Sequence, residues 1–277
     1  MTTPVDALPR VAPPPPRAQE TPRAPVVAVG SGKGGVGTST IAALLAATMA
    51  EQGHRVLLID AAQRVGGLHH LLGVEPSGTL GQLRGEREPH QLLVPIAERL
   101  SLFPATMDDP ELRPTERRLL MRRVTSLHAD FDLVIVDAGS SAESLVNACV
   151  DGAGRLLAVT AGDRISLVAT YAVVKLLNER APHVRVDILA NRVDQDSADR
   201  LHEYLTGASI RFLSRTTPFA GAVPDDPDFG SALAAGLGTA EASVGSTAAI
   251  AVRTIGERIL AESAATPTSL PRLLRKG

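Results

Sequence analysis

The chain has 277 residues, 44% of them hydrophobic, and sets 28 lysines and arginines against 30 aspartates and glutamates for a net charge of −2. That apolar content fills a buried core, no second block of composition marks off another domain, and the near-neutral balance excludes a surface built as a whole for nucleic acid. The only cysteine, Cys149, excludes a disulfide framework and a Cys-rich metal site, and no stretch has the apolar length that spans a bilayer, so the expected compartment is the cytoplasm.

Residues 1–24 hold Pro13, Pro14, Pro15 and Pro16 among scattered Arg10, Arg17 and Arg23 with little apolar material. This composition predicts an extended, disordered arm that acts as a solvated spacer.

From Val26 to Thr40 an apolar strand pattern stops in glycines and opens into a helix. Glycines lack Cβ atoms and permit positive φ, so successive backbone N–H groups can face an anion at the positive end of the helix. The template G-x-x-x-x-G-K-[ST] places its glycines on Gly32 and Gly37 and its hydroxyl on Ser39, but its lysine position holds Thr38. The candidate phosphate cradle is Gly32, Lys33, Gly34, Gly35, Val36, Gly37, Thr38, Ser39 and Thr40.

A helical pattern over 41–50 ends near Gly53, and Val56–Asp60 follows as an unbroken apolar run closed by an acid. Such runs are strands buried on both faces of a parallel sheet, and the acid lies at the edge where those sheets take ligands. Past Gly66 and Gly67, His69 and His70 are adjacent and face different directions on a helix; without a carboxylate or cysteine at ligand spacing they do not make a metal site. A short amphipathic helix is expected over 79–85, a strand over 100–105 ended by Pro104, and a helix over 114–126 whose Arg117, Arg118, Arg122 and Arg123 form a solvated face over an apolar stripe.

Phe131–Asp137 is a second buried strand that delivers an acid to its end, followed by the loop Ala138–Ser141. Strands are expected over 156–160 and 184–190 with a helix at about 165–180 between them. The second of these strands runs into Asn191, Arg192, Val193 and Asp194. Gly221, Pro224, Asp225 and Asp226 punctuate the next segment, and a closing helix is expected over 243–262. After a linker from 263, Leu270, Leu273 and Leu274 stand at i, i+3 and i+4 with Arg272, Arg275 and Lys276 between them, the pattern of a short membrane-surface helix over 269–277.

Strands alternating with helices, acids at strand ends and a glycine loop after the first strand predict an α/β fold, a mostly parallel sheet with helices on both faces, spanning 25–262. The loop's K-G-G-x-G, read at Lys33–Gly37, resembles the P-loop of the MinD/ParA family. So do the strand acids, the Gly66–Val74 stretch, the Asn191–Arg192 pair and the G-x-x-P-x-D at 221–226. The resemblance implies ATP and Mg²⁺ as cofactors, with Lys33 reaching a dimer partner's nucleotide and Ser39, Asp60 and Asp137 around the metal. It also implies Asn191, Arg192, Pro224 and Asp225 at the base, with adenine favoured over the guanine that N-K-x-D selects in the wider class. Lys33 and Asp60 are the implied catalytic residues.

By the same resemblance the protein is expected to position flagella, pili or division machinery through a nucleotide-dependent homodimer, an unidentified protein partner and attachment to membrane or DNA; the net charge of −2 argues against nucleic acid, so the inner face of the cell membrane is the expected surface. Two departures weaken hydrolysis: Thr38 replaces a lysine that clamps phosphates, and Ala62 stands where the family has a second acid to position water. The alternative is a non-hydrolysing scaffold or regulator of the same fold. Iron–sulfur relatives need paired cysteines, which Cys149 alone does not supply.

Overall fold

The computed structural model describes residues 24–62, 67–76, 78, 80–104, 113–234 and 245–265. The arm at 1–23, Gly66, residues 235–236 and the tail at 266–277 lie outside them. Among the described residues eight strands form one sheet in the order β3-β4-β2-β5-β1-β6-β7-β8. The strands are β1 (Val26–Gly30), β2 (Val56–Asp60), β3 (Val94–Ala97), β4 (Leu100–Phe103), β5 (Leu133–Gly139), β6 (Arg155–Thr160), β7 (Arg185–Asn191) and β8 (Phe219–Val223). All neighbours pair in parallel except β3 and β4, an antiparallel edge hairpin whose Pro95 is exposed, as an edge permits.

The helices are α1 (Thr38–Glu51), α2 (Leu68–Leu71), α3 (Pro114–Thr125), α4 (Ala142–Asp151), α5 (Arg164–Arg180), α6 (Gln195–Leu213), α7 (Pro227–Ala234) and α8 (Thr247–Ala265). Because strand side chains alternate, Leu58 joins the core under α1 and α8, while Leu57 and Ile59 join the core under α3 on the other face. Leu145, Val173, Val174, Leu201 and Leu205 of α4, α5 and α6 cover that second face. Both faces are therefore buried, which is why the strands read as continuous apolar runs.

α1 is apolar nearly all round because it is enclosed by the sheet and by α8. The two helices approach so closely at Gly256 that a Cβ there would lie 2.6 Å from Met49 Sδ. This packing seats the helix that follows the glycine loop closely against α8.

Several elements differ from the sequence expectation. α1 starts at Thr38 instead of 41, since Gly37 at φ 91° ends the loop and caps the helix. The strand at 100 stops at Phe103, before Pro104, and Ala105 lies outside the described residues. The short helix near 80 is a 3₁₀ segment, Leu80–Arg84. The closing helix begins at Thr247 and continues to Ala265. Strands β3 and β8 and helices α4, α6 and α7 have no counterpart in the sequence reading, the strands because VPIA and FAGAV, interrupted by proline and glycine, lack the unbroken apolar run of the inner strands.

Candidate functional site

Every strand-end residue singled out from the sequence arrives at one edge of the sheet, because β1, β2, β5 and β7 run parallel and share their carboxyl ends. The loop after β1 sits centrally at that edge, between β5 and β6.

Within the loop a chain of hydroxyls occupies the place of the absent lysine. Thr38, 8% exposed, donates from Oγ1 to Ser31 Oγ at 2.8 Å, and Ser31 Oγ donates to the Lys33 carbonyl at 2.9 Å. The side chain at the lysine position therefore turns back to brace the first half of the loop. Gly32 admits α5, since a Cβ there would lie 2.1 Å from the Ala169 carbonyl oxygen. Gly35 and Gly37 take φ of 82° and 91°, which L side chains rarely adopt.

Lys33 leaves the loop toward α5, where Nζ lies 3.2 Å from Asp163 Oδ2 and 3.4 Å from Ser166 Oγ. Asp163 is also the N-cap of α5, accepting from the Ile165 and Ser166 N–H groups. The Ser166 hydroxyl and backbone, with Lys33 adding to them, hold its carboxyl far below the usual range.

Asp60 and Asp137 are register partners on β2 and β5, each 1% exposed. Asp60 Oδ1 accepts from Ala62 N, and its Oδ2 accepts from Gly67 N at 3.1 Å and Leu68 N at 3.3 Å. Burial first and the nearby Asp137 second push its carboxyl up to about 7. Asp137 Oδ1 accepts from Gly139 N at 3.0 Å, whereas Oδ2 is buried with no hydrogen-bond partner. Burial raises Asp137 as well, opposed first by the Ser39 hydroxyl. Two adjacent buried carboxylates, one with an orphaned oxygen beside a hydroxyl, are an oxygen donor set of the hard kind that Mg²⁺ takes. Ser39, Asp60 and Asp137 fit that ion.

At the other side of the loop Asn191 is 5% exposed and donates from Nδ2 to the Val36 carbonyl at 2.8 Å. Arg192 follows at φ 59° with its N–H on the Val223 carbonyl, leaving the Arg192 side chain exposed. Pro224 is half-buried and Asp225 exposed at the end of β8. The structural work in this segment belongs to Asp226, which accepts from Phe229 N with Oδ1 and from Ser246 Oγ, Thr247 Oγ1 and Ala248 N with Oδ2. These bonds, led by Phe229 N–H, lower its carboxyl to about 2 and cap both α7 and α8.

Ser31 and Asp163 were not singled out from sequence, and Asp226, part of the 221–226 stretch, was not read there as a cap. An aspartate before the helical pattern at 165–180 is an N-cap signal that would have found Asp163, but no local pattern pairs it with Lys33. The His69 and His70 rings, expected from sequence to face different directions, lie with centroids 3.9 Å apart, their planes tilted by 44°.

Residues 27–239 match the model of the CobQ/CobB/MinD/ParA nucleotide binding domain. The chain is similar to the antiactivator FleN of Pseudomonas aeruginosa, 28% identical over 84% of this chain and 85% of that protein. It is also similar to the septum site-determining protein MinD of Bacillus subtilis, 29% identical over 86% and 89%. Among solved structures, the Pyrococcus horikoshii MinD complexed with Mg-ADP superposes with a TM-score of 0.69 over 85% of this chain and 96% of that one, at 20% identity. With this match over most of its length, and with the glycine loop and both strand-end acids gathered at one sheet edge, the chain belongs to the CobQ/CobB/MinD/ParA nucleotide-binding domain family.

Proposed function

We propose that this protein binds ATP with Mg²⁺ at the loop Gly32–Thr40 and uses the bound state, through a homodimer, to position or restrain a cellular structure. The observation that carries this reading is the pairing of Asp60 with Asp137, whose buried Oδ2 has no partner, beside Ser39 at the mouth of the loop. Ser39, Asp60 and Asp137 would hold an Mg²⁺ ion there, whose positive charge would offset that of the carboxylates and of a bound phosphate chain. The backbone N–H groups of Gly34, Gly35, Val36 and Gly37 would face the phosphates, with Ser39 and Thr40 hydroxyls at the start of α1.

Turnover is expected to be weak. Thr38 is spent on Ser31 and brings no positive charge to the β/γ-phosphates, and Ala62 offers no carboxylate to orient water. Lys33, the cation within the loop, would be available to a partner's phosphates once it leaves Asp163. Arg192, Pro224 and Asp225 lie at the end of the β7–β8 edge and would flank the base.

A second reading has its own support. One relative is named an antiactivator, and the two losses at Thr38 and Ala62 fit a protein that switches on nucleotide binding alone, as a regulator without hydrolysis. Among the described residues no helix is long and apolar enough to cross a membrane, so attachment in either reading rests on the basic, leucine-spaced segment 269–277.

Calorimetric titration of the full chain with ATP and with GTP, each with Mg²⁺, tests the reading. Binding of ATP ahead of GTP supports it, and no binding of either at millimolar concentration overturns it.

A further inference from the structure

Asn191, expected at the base, also has a bond toward the loop: Nδ2 donates to the Val36 carbonyl at 2.8 Å inside the protein, joining positions 155 residues apart. The fit is tight enough to involve the next residue, because a Cβ on Gly37 would lie 2.5 Å from Nδ2. The end of β7 that carries Asn191 is itself fixed, with the N–H groups of Arg192 and Val193 both on the Val223 carbonyl.

A trans peptide points its C=O and its N–H in opposite directions. Drawing the Val36 carbonyl toward Asn191 therefore turns the Gly37 N–H away from Asn191. The Gly37 carbonyl, in the following peptide, is meanwhile taken by Ile41 N at 2.9 Å in the first turn of α1, so Gly37 is held on both sides. In this chain such an N–H matters more than usual, since Thr38 contributes no cation and the cradle must attract phosphate through oriented backbone donors.

We propose that Asn191 is a positioning residue for the phosphate loop: by holding the Val36 carbonyl it aims the Gly37 N–H at the phosphate chain, whatever base the nucleotide carries. This rests on the reading that the loop binds nucleotide. It differs from base recognition in what it predicts, because inorganic pyrophosphate has no base to read.

The test uses the full chain and the isosteric variant Asn191→Asp, which lacks the donor, with Asn191→Ala as a second variant. Affinities for Mg-pyrophosphate, Mg-ATP and Mg-GTP are measured by calorimetry, and the Gly37 amide is followed by ¹⁵N NMR. The expected result is an equal weakening of all three ligands by about tenfold, which is ~1.4 kcal/mol, with the ATP-to-GTP ratio unchanged. The Gly37 amide resonance should move on adding pyrophosphate to the parent protein and stay still in Asn191→Asp. Unaltered pyrophosphate affinity in both variants overturns the proposal, as does a change confined to the ATP-to-GTP ratio. Should the parent protein bind none of the three, the nucleotide reading falls, and hydrogen exchange at Gly37 decides the tether by itself. Faster exchange in Asn191→Asp than in the parent supports the tether, and equal exchange overturns it.

Discussion

Lys33 Nζ sits 3.2 Å from Asp163 Oδ2, so the one basic side chain of the phosphate loop is held within its own chain by the N-cap of α5. Both side chains are partly exposed, at 39% and 46%, so solvent screens the ion pair and it adds little to stability. Its larger effect is on where the charge is available.

Asp163→Asn keeps an N-cap acceptor and removes the charge that retains Lys33. The expected outcome is ATP-dependent dimerisation at several-fold lower protein concentration, with the thermal midpoint nearly unchanged. Sedimentation velocity with a slowly hydrolysed ATP analogue checks this, and a dimerisation curve identical to the parent's counts against it. Asp163→Ala should instead lower the thermal midpoint measurably, because it also loses the cap.

Thr38→Lys restores a cation at the cost of the Thr38–Ser31 hydrogen bond. Nucleotide affinity should rise by about tenfold or more, in line with the strength of charge-assisted contacts to phosphate. Combined with Ala62→Asp, it should raise phosphate release well above the parent rate, while an Asp137→Ala version stays inactive. A double variant that binds ATP tightly and still does not turn over would point to the regulator reading.

The Asp60–Asp137 pair links stability to pH. The folded-state value of Asp60 is raised to about 7, so protonation favours the folded form, and stability without metal should fall as pH rises from about 4 through 7. Thermal midpoints measured in chelator at pH 5.5 and pH 8 should show the lower value at pH 8. Adding Mg²⁺ with nucleotide should narrow that gap, because a bound cation favours the ionised carboxylates.

Asp137→Asn removes one of two like charges without changing shape. The metal-free protein should gain about 1–2 kcal/mol at pH 8, a shift of a few degrees for a chain of this size. The same variant should lose Mg²⁺-dependent nucleotide binding. Unchanged stability at pH 8 would show that the pair is already neutralised by a shared proton.

The tail 269–277 makes a prediction independent of the site. Vesicle co-sedimentation with anionic lipid should be weak for the full chain, stronger under dimerising conditions, and lost on truncation after Ala265. Each basic residue near such a surface adds ~1 kcal/mol, and two tails on one dimer act together. Pelleting that is equal with and without the tail would remove the membrane from the proposed function.

Much of this fold was legible locally, and for definite reasons. Val56–Asp60 and Phe131–Asp137 read as doubly buried strands because a parallel sheet covered on both faces demands unbroken apolar runs, and their terminal acids marked the ligand edge. The glycines at 35 and 37 announced a loop because only glycine takes positive φ without strain. What the chain alone did not disclose were relationships between residues far apart in it. The Lys33–Asp163 pair, the Asn191–Val36 bond and the four donors gathered on Asp226 leave no periodic or spacing signature, since each depends on how α5, β7 and α8 are brought against the loop ends. Sequence set the chemistry available at the strand ends; packing of the helices decided which of those groups are spent inside the protein and which remain for a ligand.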